Sequence, residues 1–138
     1  NCEAAAILRA CGATALTDVT GFGLVGHLAE MRSKQPGLGA IVQLDAVPML
    51  QGARDTVAAG ILSTLHEANA QAFDQYELLG DVATRPEFQL LADPQTAGGL
   101  LAAVPAANAA DCVARLHRAG YSEATAIGRL HRGASRIE

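Results

Sequence analysis

The sequence contains no tryptophan, and only two tyrosines and three phenylalanines. With aromatics at 4%, there are too few rings to build the stacking platforms on which single-stranded nucleic acids lie. An excess of positive charge is missing too: ten Lys and Arg face fourteen Asp and Glu, for a formal net charge of −4. That sign excludes a general polyanion binder. It leaves room for a specific nucleotide site, where helix termini, glycine loops or a bridging cation supply local positive potential. The cysteines Cys2, Cys11 and Cys112 are odd in number and lack C-x-x-C spacing, so a reduced, cytoplasmic setting is expected rather than a disulfide framework. No apolar run is long enough to span a bilayer and no signal-peptide pattern opens the chain, so neither a membrane nor a nucleic acid is an expected partner. The first residue is Asn1, directly in a helical pattern, which reads as a piece of something longer.

What is present is apolar and glycine-punctuated. Half of the 138 residues are hydrophobic, and a chain of about this length buries ~70% of its unfolded surface, so one domain, 1–138, is expected. The stretch around which the rest is organised is Thr17-Asp18-Val19-Thr20-Gly21-Phe22-Gly23-Leu24. Ala13 to Asp18 reads as a short buried strand that delivers Asp18 at its C-terminal end, the edge where α/β structures place ligands. Leu24, Val25, Leu28 and Met31 then recur at the spacing of an amphipathic helix. The turn between strand and helix fits two descriptions. Asp, Thr and Gly ahead of a helix make an ordinary N-cap. They also make a hard oxygen ligand beside backbone without a Cβ, next to free N–H groups that suit a phosphate or a metal–phosphate complex.

The remaining pattern gives a first helix through Cys11, a helix from about Phe22 to Lys34 and a half-buried strand from Ala40 to Asp45. Helices follow from Pro48 to Ala59 and from Leu65 to Tyr76, the latter with His66, Glu67, Asn69 and Gln71 on a solvated face. A short helix from Pro86 to Leu91 precedes a second notable stretch, Asp93-Pro94-Gln95-Thr96-Ala97-Gly98-Gly99-Leu100-Leu101, an Asp-Pro turn with two glycines before the strand Leu100 to Val104. A helix from Ala106 to Ala119 carries Ala110, Val113, Leu116 and His117 on one face. Ala124 to Leu130 and Ser135 to Ile137 read as strands joined in a hairpin around Gly133. Helices and strands without strict alternation favour an α+β or mixed sheet covered by helices. His27 has no His, Cys or carboxylate at ligand spacing and reads as a hydrogen-bonded or surface histidine.

Taken together, the stretch from Thr17 through Gly26-His27-Leu28 and the stretch Asp93-Pro94-Gln95-Thr96 with Gly98-Gly99-Leu100-Leu101 resemble the C-terminal domain of the selenophosphate synthetase (selenide, water dikinase) family. Leu44-Asp45-Ala46-Val47-Pro48 and Ala58-Ala59-Gly60 share the likeness, which covers most of the chain. Ala97 stands where that family is expected to carry serine, which excludes a hydroxyl role there. The resemblance implies the superfamily of aminoimidazole ribonucleotide synthetase, thiamine-monophosphate kinase and hydrogenase-maturation proteins. It also implies an α+β fold with a mixed, largely antiparallel sheet, partly ferredoxin-like.

This chain would then be the C-terminal half of a two-domain, dimeric enzyme that makes selenophosphate, AMP and phosphate from ATP, selenide and water. The reactive Cys or selenocysteine, the catalytic Lys and the glycine-rich segment of such enzymes lie in the other domain, so no catalytic residue is expected here and the fragment alone would be inactive. Position by position, the resemblance makes Asp18 a ligand of Mg²⁺ on the ATP phosphates. Thr17, Thr20, Gly21 and Gly23 would shape the nucleotide-site loop around it. Asp93, Gln95, Thr96, Gly98 and Gly99 would lie near the cleft without an assigned step. Two other readings stand beside this one: a domain of a sister ATP-using synthetase, and a non-catalytic module whose glycines permit close packing.

Overall fold

Alanine, isoleucine and leucine at helical spacing form α1 (Cys2–Ala10), which buries Ala4 and Leu8. The chain then enters β1 (Ala15–Asp18), passes the turn at Val19 to Phe22, and winds into α2 (Gly23–Arg32). β2 (Leu38–Val42), α3 (Ala53–Ala58), α4 (His66–Ala70) and β3 (Tyr76–Leu78) follow. Then come α5 (Pro86–Leu90), β4 (Leu100–Ala103), α6 (Ala106–Arg118), β5 (Gly128–Arg132) and β6 (Ser135–Ile137). Single 3₁₀ turns occupy Leu44–Ala46, Gln71–Gln75 and Val82–Thr84. This computed structural model describes residues 1–138.

The strands make two sheets. β1 and β4 form an antiparallel pair with Asp18 opposite Leu100, and α1 and α6 pack together over it around Ala4, Leu8, Cys11, Cys112 and Leu116. The second sheet has the order β3-β6-β2-β5: β2 runs antiparallel to β5 over five residue pairs and parallel to β6 over two, while β6 and β3 are parallel over three. The longer registers are thus the antiparallel ones, in a mixed α+β arrangement of the expected class. A larger core, with Val25, Val42, Leu44, Leu91 and Ile137 almost fully sealed from solvent, lies under α2, α5 and this sheet. Burying side chains of that size contributes roughly 1.5–3 kcal/mol each.

Several local expectations are corrected. β5 and β6 are no hairpin, because they flank β2 on opposite sides. Residues 133 and 134 cross the start of β2 at Gly39, where a Cβ would fall on the carbonyl oxygens of Gly133 and Ala134. The crossing exists because Gly39 has no side chain. β2 stops at Val42, and its last four residues are all buried, since as an interior strand it has neighbours on both edges and cover on both faces. The alternation through Gln43 and Asp45 is that of a 3₁₀ turn leaving the sheet.

The helix expected from Pro48 shrinks to Ala53–Ala58, behind Gly52 in a left-handed conformation. The one expected to reach Tyr76 breaks after Ala70, and Tyr76 begins β3, because pairing with β6 satisfies its backbone better than another turn. On α6 the buried positions are Cys112 and Leu116 with Val113 half-buried, whereas Ala110 and His117 are exposed.

Candidate functional site

The two stretches singled out in the sequence meet. Beyond the β1–β4 ladder, the Val19 N–H donates to the Gly99 carbonyl (2.9 Å) and the Gln95 N–H to the Thr20 carbonyl (3.0 Å). A Cβ on Gly98 would overlap the Val19 carbonyl oxygen, so the second stretch lies directly on the first. The Asn1 side chain, which caps no helix, donates to the Gly98 carbonyl (3.3 Å).

α2 is anchored to the other side of the turn. Gly23 is buried with φ +67°, and a Cβ there would stand 2.7 Å from the Ala92 carbonyl carbon. Both the sign of φ and the lack of space require glycine. The Gly23 N–H donates to the Thr20 carbonyl (3.0 Å) and the Val25 N–H to the Leu91 carbonyl (3.1 Å). Both descriptions of the turn therefore change. No side chain caps α2, whose N-cap position is Phe22, so Asp18 and Thr20 are not an ordinary cap. Nor is the helix N-terminus an open set of donors, because two of its N–H groups are already taken.

Each expected site residue has a definite place. Asp18 is exposed at the end of β1, and its carboxylate takes part in none of the chain's hydrogen bonds or ion pairs. Thr17, half-buried beside it, donates its hydroxyl to the Asp18 carbonyl (3.2 Å). Thr20 is the most firmly held: its carbonyl accepts from Gly23 and Gln95, and its Oγ1 lies 3.0 Å from His27 Nε2. Gly21 is exposed, and a Cβ there would meet nothing within 4 Å, so the turn is open to solvent at this point. Thr96 and Gly99 are exposed, while Asp93 and Gln95 are half-buried.

Two contributors were not evident in the sequence. Asn69, expected on a solvated face, donates from one amide nitrogen to the carbonyls of Gly21 (2.8 Å) and Ala92 (3.0 Å), tying the turn to the end of α5. Its partners lie 48 and 23 residues away, and spacing along a helix carries no signal for them. His66, expected beside it on that solvated face, is buried and hydrogen-bonded to Gln89 (2.8 Å). His27, read as a hydrogen-bonded or surface histidine with no carboxylate at suitable spacing, is buried and hydrogen-bonded on both sides. That spacing reading is corrected, because Glu30, one helical turn on, brings Oε2 to 3.0 Å from Nδ1. Phe22 is 56% exposed at the mouth of a groove of about 630 Å³ between α2 and the Asn69–Gln75 segment.

The strongest charge cluster is elsewhere. Arg85 hydrogen-bonds Asp45 and the buried Glu87 (2.6 Å), with Arg54 3.6 Å from Glu87. These hydrogen bonds hold both carboxyls below the usual carboxylate range. Asp45 is thereby committed to the fold and Asp18 is not. No three His, Cys, Asp or Glu side chains gather in a way that could hold a metal ion by themselves. No helix is long and apolar enough to cross a membrane.

The chain is similar to known proteins over most of its length. Residues 1–137 match the family described as AIR synthase related protein, C-terminal domain. A "Selenide, water dikinase" of Burkholderia pseudomallei (strain K96243) is 41% identical over 127 residues, 92% of this chain and 36% of the relative. That of Shewanella sp. (strain W3-18-1) is 41% identical over 116 residues, 84% of this chain and 32% of its own length. A third, from Salmonella typhi, is 40% identical over 130 residues, 94% of this chain and 36% of its own length. The chain spans about a third of the length of these curated relatives. It belongs to the AIR synthase related protein family, as a C-terminal domain of that kind.

Proposed function

We propose that this chain is the C-terminal domain of a selenophosphate synthetase, and that Asp18 contributes one edge of its magnesium–ATP site. The observation that carries the reading is an exposed carboxylate with no partner in its own chain, on a turn clamped from both sides by backbone contacts. The donor set fits a shared site. Mg²⁺ is usually held by one or two carboxylates together with waters and substrate phosphates, and one carboxylate is what this turn offers. Bound there, magnesium would offset charge on the phosphate oxygens during phosphoryl transfer.

Thr17, Thr20, Gly21 and Gly23 keep the turn in shape, and Gly21 leaves it open to an approaching phosphate. The other domain of the longer protein supplies the remaining machinery, which makes the fragment inactive alone. The whole enzyme would be a cytoplasmic homodimer that converts ATP, selenide and water into selenophosphate, AMP and phosphate.

In the full-length protein, Asp18→Asn is expected to lower kcat/KM for ATP on the order of 100-fold, about 3 kcal/mol, without moving the thermal midpoint. Unchanged turnover removes Asp18 from the site. The exposed Phe22 on the same turn favours a second reading, a surface for association with another domain. Under that reading Phe22→Ser weakens assembly while Asp18→Asn leaves both assembly and magnesium–ATP binding intact.

A further inference from the structure

Asp18 has a neighbour whose hydroxyl is set by a chain of hydrogen bonds that runs from the exposed Glu30 through the buried His27 to the half-buried Thr20. Glu30 Oε2 lies 3.0 Å from His27 Nδ1, and His27 Nε2 lies 3.0 Å from Thr20 Oγ1. His27 is only 7% exposed, with the Phe22 ring 5.4 Å away, centroid to centroid. An ionised carboxylate only accepts, so Nδ1 carries a hydrogen; in the neutral ring Nε2 is then bare and can only accept. Towards a neutral His27 the Thr20 hydroxyl is the donor.

We infer that His27 is a positioning residue: its Nε2 accepts the hydrogen bond of the Thr20 hydroxyl, so that the turn presents Thr20 Oγ1 with only its lone pairs free, two residues after Asp18. The inference rests on the magnesium reading of Asp18 for its consequence, though not for its geometry. An acceptor-only oxygen suits a cation or a cation-bound water and disfavours a bare phosphate oxygen, which also only accepts. Thr20 thereby gives the turn a preference for metal-complexed over free nucleotide. Its carbonyl accepts from Gly23 and Gln95, which fixes the backbone at this residue, and turning the hydroxyl hydrogen elsewhere gives up the bond to His27.

The test begins with the metal-free full-length protein, labelled with ¹⁵N on histidine. His27 should show a hydrogen on Nδ1 and a bare Nε2; a hydrogen on Nε2 overturns the inference whatever the activity. The second measurement is calorimetric titration with Mg²⁺ in the presence of a non-hydrolysable ATP analogue. Thr20→Val and His27→Leu should each weaken magnesium binding roughly tenfold, and Thr20→Ser should stay within about twofold. In the double variant His27→Leu should add nothing, since no hydroxyl is left to orient. Additive effects, or no effect of Thr20→Val, overturn the inference. Asp18→Asn separates the failures: if it leaves magnesium binding unchanged, the magnesium reading falls. If it alone matters, only the role given to His27 and Thr20 falls.

Discussion

The β1–β4 pair and the four-stranded sheet are held by different means. Around the four-stranded sheet, a cluster of twelve buried apolar residues closes on Leu44, Leu91 and Ile137. The β1–β4 layer has a cluster of five, two of them cysteines, and borders an apolar cleft of about 610 Å³ that separates it from β2 and β5. The turn that carries Asp18 joins the two: β1 belongs to the smaller layer, and α2 buries Val25 and Leu28 in the larger core. The difference teaches that the candidate site draws its rigidity from one side and its exposed carboxylate from the other. Backbone contacts at Gly98 and Gly23 hold the join together with a few side chains, Leu101 of β4 and Val19 in or against the larger core and Asn69 on the Gly21 and Ala92 carbonyls.

The comparison breaks most visibly in the cores. Leu44→Ala should cost about 3–5 kcal/mol and Leu8→Ala nearer 2, because cavity cost scales with how tightly the site is enclosed and Leu8 lines the cleft. Equal losses in denaturant titration would mean that the two layers share one core. Glycine substitutions sharpen the contrast at a smaller scale. Gly98→Ala and Gly39→Ala each drive a Cβ into carbonyl oxygens, at about 1–3 kcal/mol. Amide hydrogen exchange should rise in the Asp18–Leu100 ladder for the first and in the β2–β5 ladder for the second; loss of protection in both ladders for either variant would unite the layers.

The smallest effect is in pH. Burial, followed by the hydrogen bond and charge of Cys11, pushes the Cys112 thiol up to about 11. The folded state thus holds this proton more tightly than the unfolded chain. The contribution is full below the ordinary thiol value and fades as pH rises towards 11. Exchange protection of α1 and α6 should weaken over that alkaline range before the four-stranded sheet responds, and Cys112→Ala should abolish the difference.

Much of the site could be read along the chain, because its signals are local. Asp18 at a strand end, glycines at 21 and 23, and the Leu24, Val25, Leu28, Met31 stripe are short-range patterns, and all fall where expected. The Asn69 donations, the Glu30–His27–Thr20 chain and the seat of Gly98 on Val19 depend on residues brought together by folding. The hairpin expected around Gly133 failed for the same reason. A turn signal says that the chain reverses, not which strand it pairs with afterwards.

By itself, then, the sequence determined many of the elements, though not β3 or the true extent of α3 and α4, together with the mixed α+β class and the two glycine-bearing stretches. Helix and strand periodicity and glycine's freedom are properties of a few neighbouring residues. Only the tertiary structure decided that these stretches lie on each other, that the N-terminus of α2 is already occupied, and that Asp18 alone among the turn's polar side chains has no partner. Those outcomes depend on which backbone groups are satisfied by distant ones, and that accounting closes only when the whole chain is folded.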